Sequence, residues 1–191
     1  MLPPQKPSSF RVSRRNFLRG VLMGVPAAVA LGGPGRAIAS MVDTRSIELV
    51  NTHTGESLKA AYYLGGGYCE QSLSALDHLL RDFRTGDVAT IDPQLYDLLH
   101  DVAALADREP RFEVISGFRS PVTNAMLNAQ SNGVAKHSLH MEGRAIDVRL
   151  QGYRTETLRD LALSLQAGGV GFYRRSDFVH LDTGRVRTWA G

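Results

Sequence analysis

The sequence predicts an α+β domain, a mostly antiparallel sheet with helices packed to one side. Three observations carry this class. Short runs alternate apolar and polar residues, as half-buried strands do. Several longer segments repeat leucines at helical spacing. Gly-bearing turns separate the runs and leave the helices segregated from the strands.

Between Ser46 and Tyr63 an alternating run, Ser-Ile-Glu-Leu-Val-Asn, is followed by Thr54-Gly55-Glu56 and a second run, which reads as a β-hairpin. Gly65-Gly66-Gly67 punctuates the chain, and Leu73, Leu76, Leu79 and Leu80 then mark a helix through about Phe83. A second helix starts at the Asp92-Pro93 cap signal and carries Leu95, Leu98, Leu99, Val102 and Leu105 on one face. Phe112 to Ile115 is a short strand. Ser116-Gly117-Phe118-Arg119-Ser120-Pro121 leads into a helix over 123–130, and a loop follows from Asn132 to Gly143. Arg144 to Leu150 alternates as a half-buried strand, with Ile146, Val148 and Leu150 on one face and Ala145, Asp147 and Arg149 on the other. Thr155 to Gln166 is an amphipathic helix ended by Gly168-Gly169. Two short strands, near Val170–Tyr173 and Phe178–Asp182, complete the fold.

The chain has 191 residues, 43% of them apolar, and a single cysteine, Cys69, so no intrachain disulfide can form. No stretch of about 18 uninterrupted apolar residues marks a membrane span. The net charge of +3 is unevenly placed. Residues 1–39 hold six basic side chains and no acid, and the remainder has 16 basic against 19 acidic groups, which removes nucleic acid as a partner. The leader has the order of an export signal: the paired arginines of Ser13-Arg14-Arg15-Asn16-Phe17-Leu18-Arg19, a mild apolar stretch from Val21 to Leu31, then Ala37-Ile38-Ala39. Cleavage is expected after Ala39, giving a twin-arginine signal over 1–39, a domain over 40–191 and no stable membrane span after cleavage. The twin-arginine machinery exports folded cargo, which suits a protein without disulfides and permits metal loading beforehand. The expected compartment is the periplasm. The segment that remains after cleavage is long enough for one core that buries most of the surface its unfolded chain exposes.

The chemistry concentrates in two segments. Ser138 to Asp147 places His140 in a Gly-containing loop and a carboxylate seven residues later on a strand. In Asp177-Phe178-Val179-His180-Leu181-Asp182 the strand period sends His180 and Asp182 to one face and Val179 and Leu181 to the other. Two imidazoles and one carboxylate make a three-ligand set that leaves a fourth position for water, the arrangement of catalytic zinc. Spacing alone does not establish it.

Ser116-Gly117-Phe118-Arg119-Ser120, Ser138-x-His140-x-x-Gly143-x-Ala145-x-Asp147, and Gly169-Val170-Gly171-Phe172-Tyr173 through Phe178-Val179-His180-x-Asp182 resemble the D-Ala-D-Ala metallopeptidase and hedgehog-type zinc peptidase fold. Within it they are most similar to the YcbK-like branch of periplasmic murein endopeptidases. The likeness spans nearly all of Ser46 to Trp189, including Asn51-x-His53-Thr54-Gly55-Glu56 and Asp182-Thr183-Gly184-x-Val186-Arg187-x-Trp189. The resemblance implies one Zn2+ held by His140, Asp147 and His180, with Arg119 steadying the substrate carbonyl as it gains negative charge. Zinc would lower the pKa of its water toward about 7 and polarise the amide carbonyl. Related carboxypeptidases carry an acid three residues before the last histidine, here Asp177, whereas strand parity favours Asp182. Asp177 is taken as the base and Asp182 as the partner orienting a ligand imidazole, with the assignment open between them.

Other residues have plainer readings. His137 is a solvated loop residue, since a fourth ligand would close the site. His53, His78 and His100 are ordinary surface or hydrogen-bonded histidines. Ser138 reads as a turn former, while the resemblance implies that its hydroxyl supports the metal loop or the substrate; Ser120-Pro121 with Thr123 starts a helix, and Met141 and Trp189 pack. The implied activity is metal-assisted hydrolysis of peptidoglycan cross-links by an activated water, across a groove flanked by the Arg119 loop and the Asn132–Lys136 loop. Whether the bond joins D-Ala to diaminopimelate or two diaminopimelates stays open, with the branch favouring the latter or both. The alternatives are a D,D- or L,D-carboxypeptidase on stem peptides, which needs a cationic pocket for a terminal carboxylate, and a non-catalytic wall-binding module.

Overall fold

A computed structural model describes residues 43–130 and 134–191. The leader, its cleavage site and the domain start at Ser40 lie outside the described residues. The hairpin expected near 46–63 forms from β1 (Thr44–Asn51) and β2 (Ser57–Leu64), closed through Gly55 at φ 74°. A two-residue strand β3 (Gly67–Tyr68) precedes α1 (Glu70–Leu79). The helix stops short of Phe83, because the Asp82 N–H donates to the Asp87 carbonyl and the Asp82 carbonyl accepts from Gly86, which turns the chain there. Helix α2 (Pro93–Leu105) begins as expected: the Asp92 carboxylate accepts from the Gln94 N–H at 3.0 Å and Pro93 fills a position that needs no donor.

Strand β4 (Arg111–Ser116) leads to α3 (Pro121–Gln130), which starts two residues before the expected 123, with the Ser120 hydroxyl accepting from the Thr123 N–H. The loop after it holds a 3-10 turn (Leu139–Glu142). Then come β5 (Ala145–Leu150), α4 (Thr155–Leu165), β6 (Gly169–Tyr173) and β7 (Phe178–Asp182). A further strand, β8 (Arg187–Ala190), follows where two strands were expected to end the chain. Its sequence, Arg-Thr-Trp-Ala, is only four residues long and has too little apolar alternation to register as a strand.

The sheet runs β3-β2-β1-β4-β5-β7-β6-β8. Pairs β1/β4 and β6/β8 are parallel and the other five are antiparallel, so the mostly antiparallel expectation holds within a mixed sheet. Helices α1, α2 and α4 pack on the sheet. Under them lie Ile47, Leu49, Tyr62, Tyr96, Phe112, Ile146, Val148, Leu150, Val179 and Leu181, all buried. Each is worth about 1.5–3 kcal/mol of apolar transfer. Strand β5 differs from the half-buried strand expected: Ala145 and Asp147, on the face away from this core, are buried as well, because β5 lies between β4 and β7. No helix among the described residues is long and apolar enough to cross a membrane.

Candidate metal centre

The face of β5 and β7 opposite the helix-covered core carries the chemistry. Asp147 and His180 are direct cross-strand partners, so one row of the sheet presents a carboxylate beside an imidazole. His140 reaches them from the 3-10 turn. The Ser138 hydroxyl caps this turn by accepting from the His140 N–H, and Gly143 closes it at φ 67°. A side chain at Gly143 would drive its Cβ into the Thr90 carbonyl oxygen, so the turn requires glycine on both counts.

His140 Nε2, Asp147 Oδ1 and His180 Nδ1 form a triangle with edges of 3.2, 3.1 and 2.8 Å. Donors around a tetrahedral zinc with bonds of about 2.0–2.1 Å lie roughly 3.3–3.4 Å apart, so the three atoms stand close to the spacing one such ion imposes. The outer hydrogen bonds fix the tautomers. His140 Nδ1 faces the Gly117 carbonyl at 2.7 Å. His180 Nε2 faces Asp182 Oδ2 at 3.0 Å. Each of those outer nitrogens therefore carries the proton, and the inner nitrogens turn lone pairs toward the Asp147 carboxylate. Three buried acceptors converge with no donor among them, an arrangement that calls for a cation. The donor set, two nitrogens and one oxygen, fits zinc. These three residues are the grouping of metal-binding side chains found among the described residues.

The electrostatics agree. Burial lowers the pKa of His140 and favours a neutral ring. Burial also works against charge on His180, yet Asp147 and Asp182 outweigh it and raise its pKa, which measures how strongly the pair of acids attracts positive charge. Burial by itself would raise Asp147 and Asp182. The neighbouring imidazoles reverse this for Asp147, and for Asp182 the His180 ring, the Arg187 guanidinium and the Gly184 N–H do so, holding both well below the usual carboxylate range.

Arg119 sits on the loop between β4 and α3, where its guanidinium bonds Asp147 Oδ2 and its Nε–H donates to Ser116 Oγ at 2.8 Å. The loop is pinned along its length. The Phe118 N–H donates to Leu80 O at 2.8 Å, the Arg119 N–H to His140 O at 3.1 Å and the Ser120 N–H to Asp82 Oδ2 at 2.9 Å. Across the site, Asn124 Nδ2 on α3 donates to the Ala135 and Lys136 carbonyls and so ties the histidine-bearing loop to the same helix.

A cleft of about 340 Å3 opens over the triad, lined by Arg119, Val134, Ala135, His137, Ser138, Tyr173, Phe178, Arg187 and Trp189 among others. The Arg119 loop and part of the 134–136 segment flank it as expected, and residues 131–133 lie outside the described residues. A larger depression of about 640 Å3 beside Arg108 and Arg111 has no comparable set of converging donors among the described residues. His137 lines the cleft and is exposed.

The two acids considered as base are placed differently. Asp182 is wholly buried behind His180 and is also gripped by Arg187 at 2.9 and 2.7 Å, the position of an orienting group. Asp177 occupies the β6–β7 turn at φ 52°, where its carboxylate accepts from the Thr155 hydroxyl at 2.6 Å and pairs with Arg149 at 3.5 Å. It borders a separate depression beside Gly152 and Tyr153 and does not line the metal cleft. The expectation that it serves the metal as base is not met in this geometry, because the left-handed turn residue directs it toward α4.

Sequence reasoning left out Asp82, Gly117, Asn124 and Arg187. Gly117 and Arg187 left a trace, inside the Ser116–Ser120 and Asp182–Trp189 motifs, though without the roles their contacts give them. Asp82 and Asn124 act through long-range hydrogen bonds that have no local periodicity.

Comparison with known proteins gives a concordant result. The family model described as peptidoglycan L,D-endopeptidase MepK matches residues 39–189. The peptidoglycan L,D-endopeptidases MepK of Escherichia coli and Shigella flexneri are each 43% identical over 182 residues, covering 94% of this chain and 98% of the relative. A probable peptidoglycan L,D-endopeptidase MepK of Haemophilus influenzae is 43% identical over 159 residues, covering 81% of this chain and 86% of its own. No solved structure gives a significant match.

Proposed function

Because this chain belongs to the peptidoglycan L,D-endopeptidase MepK family, we propose that it is a zinc-dependent murein endopeptidase that hydrolyses amide bonds in peptidoglycan peptide cross-links, with the L,D type of bond as its substrate. The observation that carries the reading is the convergence of three buried lone-pair donors, His140 Nε2, Asp147 Oδ1 and His180 Nδ1, at the floor of an open cleft. The fold reading that accompanies it is that of the hedgehog and D-Ala-D-Ala peptidases.

His140, Asp147 and His180 would hold the ion. Zinc bound there supplies a Lewis acid and an acidified water. Gly117 O and Asp182 fix the two rings so that the donor nitrogens need no rearrangement. Arg119, a permanently charged fork beside the metal carboxylate, is placed to share the negative charge that grows on the scissile carbonyl oxygen, which favours the transition state over the ground state. Ser138 holds the histidine turn and borders the cleft, where its hydroxyl is available to the substrate backbone. Asp182 takes the orienting role only.

A carboxypeptidase would need an unengaged cation for the terminal carboxylate of its substrate. Of the guanidiniums that line this cleft, Arg187 is committed to Asp182 and Arg119, paired with Asp147, is the group assigned to the carbonyl oxygen, which favours cleavage within a cross-link. A wall-binding module has no use for an open three-donor site. Export by the twin-arginine route, with the leader over 1–39, would bring the enzyme to its polymer in the periplasm.

The test is digestion of purified cross-linked muropeptides, read by mass, with metal analysis of the same preparation. Cleavage that is lost on chelation and restored by zinc is expected. Metal-independent cleavage, or release of a terminal residue alone, overturns the reading.

A further inference from the structure

Strand β8 approaches the His140–Asp147–His180 group across Gly169 and Gly171 of β6. Asp147, His180, Gly171 and Trp189 are successive cross-strand partners on β5, β7, β6 and β8, so all four lie in one row on the cleft face. Gly171 has no side chain, and the Trp189 indole lies over it: a Cβ there would come within 2.5 Å of the ring. The indole thereby reaches the His180 imidazole, with 5.1 Å between the two ring centroids. The neighbouring row repeats the device. Arg187 passes over Gly169, where a Cβ would collide with its guanidinium, to grip Asp182. Trp189 Nε1–H is spent on the Tyr173 hydroxyl at 3.1 Å, and Tyr173 stacks on Phe178 at 4.6 Å, which fixes the three rings as one wall of the cleft.

We infer that this wall, with Trp189 at its centre, is the substrate subsite that seats the stem-peptide residue next to the scissile bond. The inference rests on the endopeptidase reading above. The three rings are half-buried rather than sealed in the core, so they offer apolar area that a ligand can cover. Their adjacency to His180 selects the ligand: whatever lies on the indole is within about one residue of the hydrolysed amide. A peptide residue with an aliphatic side chain meets that requirement. The glycan does not, since the cross-link is set off from the sugars by the stem itself. The Arg187 guanidinium, held by Asp182, stacks on the same indole 4.9 Å from its centroid and steadies the wall from its other edge.

Trp189 is the only tryptophan in the chain, so its fluorescence reports on this wall alone. Zinc-loaded full-length protein is mixed in a stopped-flow instrument with a sugar-free cross-linked peptide dimer and, in parallel, with the disaccharide-bearing muropeptide. The expected result is a rapid emission change before turnover with both ligands, half-saturating near KM. Trp189→Ala should raise KM about tenfold or more, with kcat altered less than about threefold and zinc content unchanged, and Trp189→Phe should bring KM back to within about threefold of wild type. Silent emission at saturating substrate, a response to the disaccharide-bearing ligand only, or an unchanged KM in Trp189→Ala overturns the inference while cleavage by the wild type persists. Absence of cleavage by the zinc-loaded wild type overturns the endopeptidase reading itself.

Discussion

Asp82 offers a sharp test of how the site is built, because it is a carboxylate buried to 1% exposure with no cation paired to it among the described residues. It is stabilised by donors instead. Oδ2 accepts from the buried Ser120 N–H at 2.9 Å and Oδ1 from the Arg84 N–H at 3.0 Å, with the Ser120 and Thr123 hydroxyls nearby. The carboxylate therefore caps α3 from a distant part of the chain, at the end of the helix where the dipole favours negative charge. In Asp82→Ala the Ser120 N–H is orphaned in the interior at about 1–3 kcal/mol, while the Arg84 N–H, on an exposed residue, recovers a water. Loss of the charge at the helix terminus adds about 0.3–1 kcal/mol, for a total of roughly 1.3–4 kcal/mol. For a domain of about 150 residues this lowers the melting temperature by some 5–15 °C. The same deletion releases one of the bonds flanking Arg119, so turnover at a temperature where the variant is folded should fall about tenfold with zinc retained. Asp82→Asn keeps an acceptor and should lose about 1 kcal/mol. Circular dichroism melts paired with muropeptide turnover check both numbers. A melting point within about 2 °C of wild type for Asp82→Ala would refute the account of this loop.

Zinc at about one hundred times its dissociation constant should stabilise the fold by roughly 2.7 kcal/mol, visible as a chelator-reversible rise in melting temperature that is absent from His180→Ala. Arg119→Ala should lose about 10²–10³ in turnover with zinc per chain unchanged, and Arg119→Lys should recover only part, as mass-resolved digestion would measure. Asp177→Ala should keep turnover within about twofold of wild type, since its contacts are with Thr155 and Arg149; a loss beyond about tenfold with zinc bound would restore it to the mechanism. The folded-state pKa of Asp182 lies below its ordinary value of 3.8, so the stability it contributes is complete above that value and is lost as the pH falls through the folded pKa. Melting temperatures of chelated wild type and Asp182→Asn should accordingly differ most in mildly acidic solution, where His180 holds the proton that Asp182 favours, narrow as the pH rises through the folded pKa of His180, and converge in strong acid.

What the sequence disclosed and what it withheld follow from the range of the interactions. The β1–β2 hairpin, α2 with its Asp92-Pro93 start, and the α4 leucines are local patterns, and each appears where period and cap signals place it. His180 and Asp182 share a face because strand geometry demands it, so their link was legible from parity. Asp177 lies apart from the cleft for the complementary reason. Its spacing from His180 resembles a motif, but the β6–β7 connection is a tight turn whose left-handed residue aims the carboxylate away from the metal, and a turn conformation is not encoded in spacing. Strand β8 was hidden because its pairing partner is β6 rather than the adjacent β7, and the pairing is parallel, so no hairpin signal announces it.

Gly169 and Gly171 show how a residue can look like punctuation and act as chemistry. After a helix, Gly168-Gly169 reads as a stop signal, and β6 then alternates glycine with Val170 and Phe172. The glycines at alternate positions all fall on the cleft face, which removes every side chain between β7 and β8 over two rows. Arg187 can then orient Asp182, and through it His180, while Trp189 stands beside the His180 ring instead of one strand away. Alanine at Gly171 would be a small change by volume. It would nonetheless push the indole from its place beside His180, because a Cβ there meets the ring at 2.5 Å, and so reshape the substrate wall while Asp182 keeps the His180 ring in place.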